Sequence, residues 1–500
     1  MSKEISEVDN RYDGGVSIRK DPGDLPDDPI HPDDEPSIRF PECPNCGLPT
    51  HTIKGEERAY CASCNEYFDM KKSKNKLPEL NKREGPSYRN AIMVSATLFI
   101  VAVLIVGSIS YLLLRGDDND SIIDIDDVSE IRELEPLHDV PRKSISQKEY
   151  SEYIQDNLDP ETRRDLWETE TILKCLFAAD ENFDLVEIAE NSTGTGVAGF
   201  YDPDSEELYV VGHYHSSNYI NYILSHELTH AIQDQHFDLD GYMQDLSYDL
   251  ELARLSAVEG DAMITMEMWA EENLDSLDKL LISVESLSQI ASGIDTSTLQ
   301  EGNAVLGTIN YLPYTAGMEF VDRIYQEDRW EGVNDLYNEK PPLSTEHILH
   351  YDKYVEYEKP VDVTYDREFE NMELEFQTTL GEALLSEILA YNLDGYVSYG
   401  STGSTAYYGN NGPANGWGGD LFSYYEGDDS YLSVLVTAWD TEEDNEYHQD
   451  ILEQNFYELG NYWEEKGVYR IDDKYVYFEG MGDSTTLYCS DSLDVIEDLK

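Results

Sequence analysis

The chain has 500 residues, with 34 Lys and Arg against 104 Asp and Glu, for a net charge of −70. Such an acidic surface repels nucleic acid and anionic lipid head groups, which excludes functions built on binding either through the acidic part. The length predicts about two to four domains.

Residues 1–38 are rich in Asp, Pro and Gly with few aromatics, so they are expected to form a disordered acidic tail. Residues 39–69 contain Cys43-Pro-Asn-Cys46 and Cys61-Ala-Ser-Cys64. Two Cys-x2-Cys knuckles at this separation predict a small zinc ribbon, with four thiolates closing a structural zinc site. The ribbon is read either as a binder of a cytoplasmic protein or nucleic acid, or as a metal-stapled module without a partner. A basic linker follows at 70–90, with Lys71, Lys72, Lys74, Lys76, Lys82, Arg83 and Arg89.

The run 91–114 has no charged residue. As a helix it would extend about 36 Å, which predicts a transmembrane helix. The basic residues before it and Asp117, Asp118 and Asp120 after it predict a cytoplasmic N-terminus and an extracellular remainder. Reduced cysteines on the cytoplasmic side agree with that topology.

Nearly all the net negative charge falls after residue 114. It is read as a solvation device, resembling proteins of salt-adapted microbes, in which salt screens the self-repulsion. The acid clusters at 117–120 and 124–127 do not complete an EF-hand loop. Residues 115–145 are expected to form an acidic stalk. Helical patterns follow at 146–158 and 161–179. Cys175 and Cys489 are left either to form a disulfide or to remain two buried thiols. Residues 197–211 read as two short strands around an Asp-Pro-Asp-Ser turn. They are either an ordinary hairpin or a strand edge that binds peptide by strand addition.

Residues 226–230 are His-Glu-Leu-Thr-His. Ile220, Ile223, Leu224, Leu228 and Ala231 recur at helical spacing, so His226 and His230 share one face of a partly buried helix. Two imidazoles so placed can take two corners of a zinc tetrahedron, with Glu227 as the base that activates a water. A second helical pattern, at 249–271, places Glu259 in an apolar stripe with Leu252, Leu255, Ala262 and Met266. A buried acid needs a partner. Either Glu259 pairs with Arg254 or caps a nearby helix, or it is the third metal ligand.

Farther on, residues 276–335 read as mostly helical and 341–350 as a sharp loop. His347, His350, Tyr311 and Tyr314 are candidates to stabilise an oxyanion. Residues 396–420 read as a flexible, aromatic loop. A strand at 431–438, a helix at 442–459 and a hairpin at 467–479 complete a small C-terminal unit.

With its acid on the following helix, the histidine helix resembles the gluzincin group of zinc metallopeptidases. The run 226–237 followed by Glu259-Gly-Asp-Ala is similar to a set of uncharacterised prokaryotic proteins carrying the pattern HELTHALQDQHF…EGDA. The resemblance implies a catalytic zinc on His226, His230 and Glu259, with Glu227 as catalytic base. Where that group places an Asp to orient a histidine, this chain has Met263, and the nearest acid is Asp261. His236 also fits the metzincin spacing. Gln233 stands where that group breaks its helix with Gly, and an unbroken helix carries His236 about 240° away from His230.

The expected fold class is α+β: a mainly helical, zincin-like metallopeptidase ectodomain at 146–380 with a small sheet, a C-terminal α+β unit at 381–500, one transmembrane helix and a zinc ribbon. The expected function is membrane-anchored, extracellular, zinc-dependent hydrolysis of peptide or protein substrates. Two cofactor ions are implied, one catalytic and one structural zinc. The competing readings are a transmembrane sensor with an inactive ectodomain, and a structural surface protein in which four protein ligands, His236 among them, close the metal site.

Overall fold

The computed structural model describes residues 122–191, 197–212, 217–244, 246–280, 282–283, 303–392 and 412–500, and the strand backbones at 16–19, 51–52, 58–61 and 66–69. The chain divides into two units, residues 21–109 and residues 1–20 with 110–500. The first strand, β1 (Val16–Arg19), belongs to the larger unit. In the smaller unit, β2 (His51–Thr52), β3 (Arg58–Cys61) and β4 (Glu66–Asp69) form an antiparallel three-stranded sheet.

The larger unit continues with α1 (Ile125–Arg132), capped by Asp124, which accepts a hydrogen bond from the Asp126 amide. Next come β5 (Arg142–Ile145), α2 (Gln147–Asp156), α3 (Pro160–Cys175) and α4 (Leu185–Asn191). Proline at the first position of α3 and Asp159 as its cap suit a helix start, where the first amides lack intrahelical partners. The turn at 203–206 joins β6 (Gly199–Asp202) to β7 (Glu207–Val211). β7 lies between β5, to which it is parallel, and β6, to which it is antiparallel, so β6 is an edge.

Two long helices form the centre. Helix α5 (Ser217–Phe237) buries Ile220, Leu224, Leu228, Ala231 and Ile232 against α1 and the small sheet. It ends at Asp238, whose φ of 54° turns the chain into α6 (Leu239–Tyr242). Helix α7 (Tyr248–Asn273) starts at the cap Ser247 and crosses α5. Beyond it come α8 (Asn303–Leu312), a π-helical turn at Pro313–Gly317, α9 (Met318–Asp335), α10 (Thr345–Leu349) and α11 (Tyr351–Glu356).

β8 (Asp362–Tyr365) pairs antiparallel with β1. The rest builds a seven-stranded antiparallel sheet from β9 (Met372–Thr378), β10 (Trp417–Gly427), β11 (Tyr431–Trp439), β12 (Asn461–Trp463), β13 (Val468–Ile471), β14 (Lys474–Met481) and β15 (Ser484–Ser490), in the order β12-β13-β14-β15-β11-β10-β9. Helices α12 (Gly381–Tyr391), α13 (Glu442–Leu459) and α14 (Leu493–Glu497) pack with it. Side chains alternate across a strand, so both faces of β11 are buried: Leu435 and Trp439 join the core shared with the helices, while Val434, Val436 and Ala438 join a second core with Ile496.

One polar cluster ties α7 to this sheet. Asp249, in the first turn of α7, accepts from the Thr345 amide (2.9 Å) and hydroxyl (2.5 Å). Asp420 of β10 accepts from the amides of Leu380 and Gly381 at 2.8 and 2.9 Å, covering the start of α12. Gly381 has φ 79°, and a Cβ there would fall 1.8 Å from Asp249 Oδ1, so only glycine fits.

Several expectations are corrected here. The fold is mixed α+β with mostly helical content, but among the described residues no helix is long and apolar enough to cross a membrane. The apolar helix α12 has only 11 residues, about half the span of a bilayer's hydrocarbon core. The longer α5 and α7 carry acids along their length. The anchor expected at 91–114 lies outside the described residues, so the single-pass cell-membrane placement has no structural support. No zinc-ribbon site is found among the described residues, and the side chains of Cys43, Cys46, Cys61 and Cys64 lie outside them. Residues 125–132, expected within a stalk, form α1, with Ile125, Val128 and Arg132 buried. Cys175 and Cys489 are free, buried thiols. Burial pushes the Cys175 pKa up to about 11.

Candidate metal centre

His226 and His230 project from one face of α5 towards Glu259 of α7, as helical spacing requires. Their Nε2 atoms are 3.0 Å apart. Glu259 Oε2 lies 3.1 Å from His226 Nε2 and 3.5 Å from His230 Nε2. A zinc ion with ordinary ligand bonds sets its tetrahedral ligand atoms about 3.3 Å apart. The three donors therefore stand at the corners that a small divalent cation requires. Glu259 Oε2 is buried yet makes no hydrogen bond of acceptable geometry, as expected of an oxygen that faces a cation. The three side chains are only 11%, 14% and 11% exposed, so the site is largely buried.

The electrostatics agree. Burial alone would raise the Glu259 pKa, but His230 and His226 beside it hold it well below the usual carboxylate range. Burial alone would lower that of His230, but Glu259 and then Glu227 push it up to about 9. Without a metal, His230 and Glu259 thus form an ion pair, and a cation bound there would take the place of the His230 proton.

Glu227 does not join the triad. Its Oε2 accepts the Tyr201 amide of edge strand β6 at 3.0 Å. Burial raises its pKa, opposed by His226 and His230, which suits a group that takes and returns a proton. Tyr314 lies across the site, its ring 6.2 Å from that of His226. Burial first, then Glu259 and Glu227, hold its hydroxyl protonated. A close helix contact puts it there. A Cβ on Gly260 would meet Gly317 O at 2.3 Å, and one on Gly317 would meet Ser256 O at 2.3 Å. Two glycines thus let the π-helical turn bearing Tyr314 rest directly on α7 beside Glu259.

Other sequence candidates go elsewhere. Arg254 donates to Tyr242 O and lies 4.8 Å over the Tyr242 ring, so it is not the partner of Glu259. The His236 Nε2 meets Glu135 O at 2.8 Å, away from the triad, which removes both the metzincin arrangement and a fourth histidine ligand. His347 is fully buried and bonded to Glu358 O, and His350 pairs with Glu382. Tyr311 is half exposed on α8. Asp261 does not orient a histidine. It forms a buried ion pair with Arg132.

Sequence reasoning missed Gln233. Its Oε1 is 2.8 Å from His230 Nδ1, and its Nε2 donates to Val258 O at 3.0 Å. The signal was available, because Gln233 is three residues past His230 on the same helix face. Among the described residues this is the one group of three or more His, Cys, Asp and Glu side chains able to hold a metal, so the second, structural zinc has no counterpart there.

Residues 370–500 match the family model of a domain of unknown function (DUF8575). No curated protein and no solved structure matches the chain. These findings overturn membership of the gluzincin group: the matched family is unrelated to it and begins beyond the histidine helix and Glu259. The anchored extracellular peptidase is corrected in the same way, to a chain whose His226, His230 and Glu259 could coordinate a metal and whose described helices include none able to cross a membrane.

Proposed function

We propose that the protein is a zinc-dependent hydrolase acting on peptide bonds. The observation that carries this reading is the convergence of His226 Nε2, His230 Nε2 and Glu259 Oε2 at tetrahedral spacing, with Glu227 held beside them. Two imidazoles and a carboxylate suit zinc best among common divalent cations. When bound with one position open, zinc lowers the pKa of water to about 7 and polarises a carbonyl.

The chain's own groups supply the remainder. Glu227 takes the proton of the attacking water and returns it to the leaving amine. The Tyr201 amide keeps that carboxylate turned to the site. Tyr314, protonated at neutral pH, donates to the oxygen on which negative charge develops. The edge strand β6 offers the backbone along which an extended peptide can lie.

The test is the full chain loaded with zinc and challenged with a peptide library. Glu227→Gln should keep one equivalent of zinc and lose hydrolysis, by a factor of at least about 10². Cleavage at the parent rate would reject the reading.

A further inference from the structure

Gln233 is fully buried and bridges the two helices that carry the ligands. Its orientation follows from its neighbours. Val258 O can only accept, so the amide nitrogen must face it, and Oε1 must face His230. An acceptor there fixes the proton on Nδ1 of a neutral imidazole and leaves the Nε2 lone pair directed at the triad. The Val258 contact lies next to Glu259 in the chain, so the same amide also sets the height of α7 against α5 at the ligands. His226 has no such support: its buried Nδ1 has no hydrogen-bond partner among the described residues.

We propose that Gln233 is the positioning residue of the metal site, selecting the metal-binding tautomer of His230. This rests on the triad being a metal site. The orienting group thus comes from the histidine helix itself, where a neutral amide does the work often given to a carboxylate.

The experiment measures zinc affinity of the full chain by chelator competition, with apo-protein melting followed alongside. Gln233→Leu removes both contacts and should weaken zinc binding about 10- to 100-fold, the usual effect of losing such a partner. Gln233→Glu restores an acceptor for Nδ1 while giving up the donor to Val258 O, so its zinc affinity should stay within about threefold of the parent. A merely structural role predicts that both variants melt lower without this separation in affinity. Equal zinc affinity in parent and Gln233→Leu, or an equal fall in both variants, overturns the proposal. If Gln233→Leu does not fold, the Glu variant decides alone: a loss comparable to that of His230→Ala rejects it. Parent protein that binds no zinc, or binds it equally well after His226→Ala, rejects the metal site itself and this proposal with it. That outcome is distinct from failure of the Gln233 role alone.

Discussion

Arg132 grips Asp261 at two points, Nε to Oδ1 at 2.8 Å and Nη2 to Oδ2 at 3.1 Å, with both side chains fully buried. Asp261 also accepts from Tyr337 Oη at 2.8 Å, and the guanidinium lies 4.4 Å over Trp330 and donates to Asn334 Oδ1. This knot joins α1, α7 and α9 two residues beyond Glu259. Removing one partner leaves the other charge buried and alone. Arg132→Met should therefore cost about 3–5 kcal/mol of stability, while a double change with Asp261→Leu should recover much of the loss. Denaturant unfolding of the three variants checks this.

The contact between Gly260 and Gly317 has a consequence for turnover. Gly260→Ala forces the π-helical turn away from α7. The expected destabilisation is about 1–3 kcal/mol, typical of overpacking. Because Tyr314 moves with that turn, turnover should fall as in Tyr314→Phe while zinc stays bound. Steady-state kinetics on both variants should show the loss mainly in kcat, and a change confined to KM would contradict this role for Tyr314.

Asp249 supplies a pH test away from the metal. Burial first, then Asp420 and Glu382, push its pKa up to about 7, against the Thr345 hydrogen bonds that lower it. An acid whose folded pKa is raised is protonated in both states at low pH and costs nothing there. The cost appears as pH rises past the unfolded value near 4, grows until about 7, and is constant above. Asp249→Asn keeps an acceptor for Thr345 and removes the charge. It should gain up to about 4 kcal/mol at pH 8 and almost nothing at pH 4. Thermal melts at the two pH values decide, and a gain at pH 4 alone reverses the assigned sign.

The sequence by itself determined what depends on neighbours along the chain. Four-residue spacing put His226 and His230 on one helix face, and the apolar stripe placed Glu259 on a buried face of α7. The acidic charge is a property of composition. The β6–β7 hairpin and the α13 helix were legible because turn residues and helical periodicity act locally. The end of the 396–420 segment was not: residues from Trp417 onward form β10, where Asp420 caps a helix 40 positions earlier in the chain. Only the tertiary structure decided that Glu259 faces the histidines and not Arg254, that Gln233 orients His230, and that Arg132 answers Asp261 across 129 positions. Side-chain period follows from backbone geometry, whereas a buried charge takes its partner from whichever element packs against it.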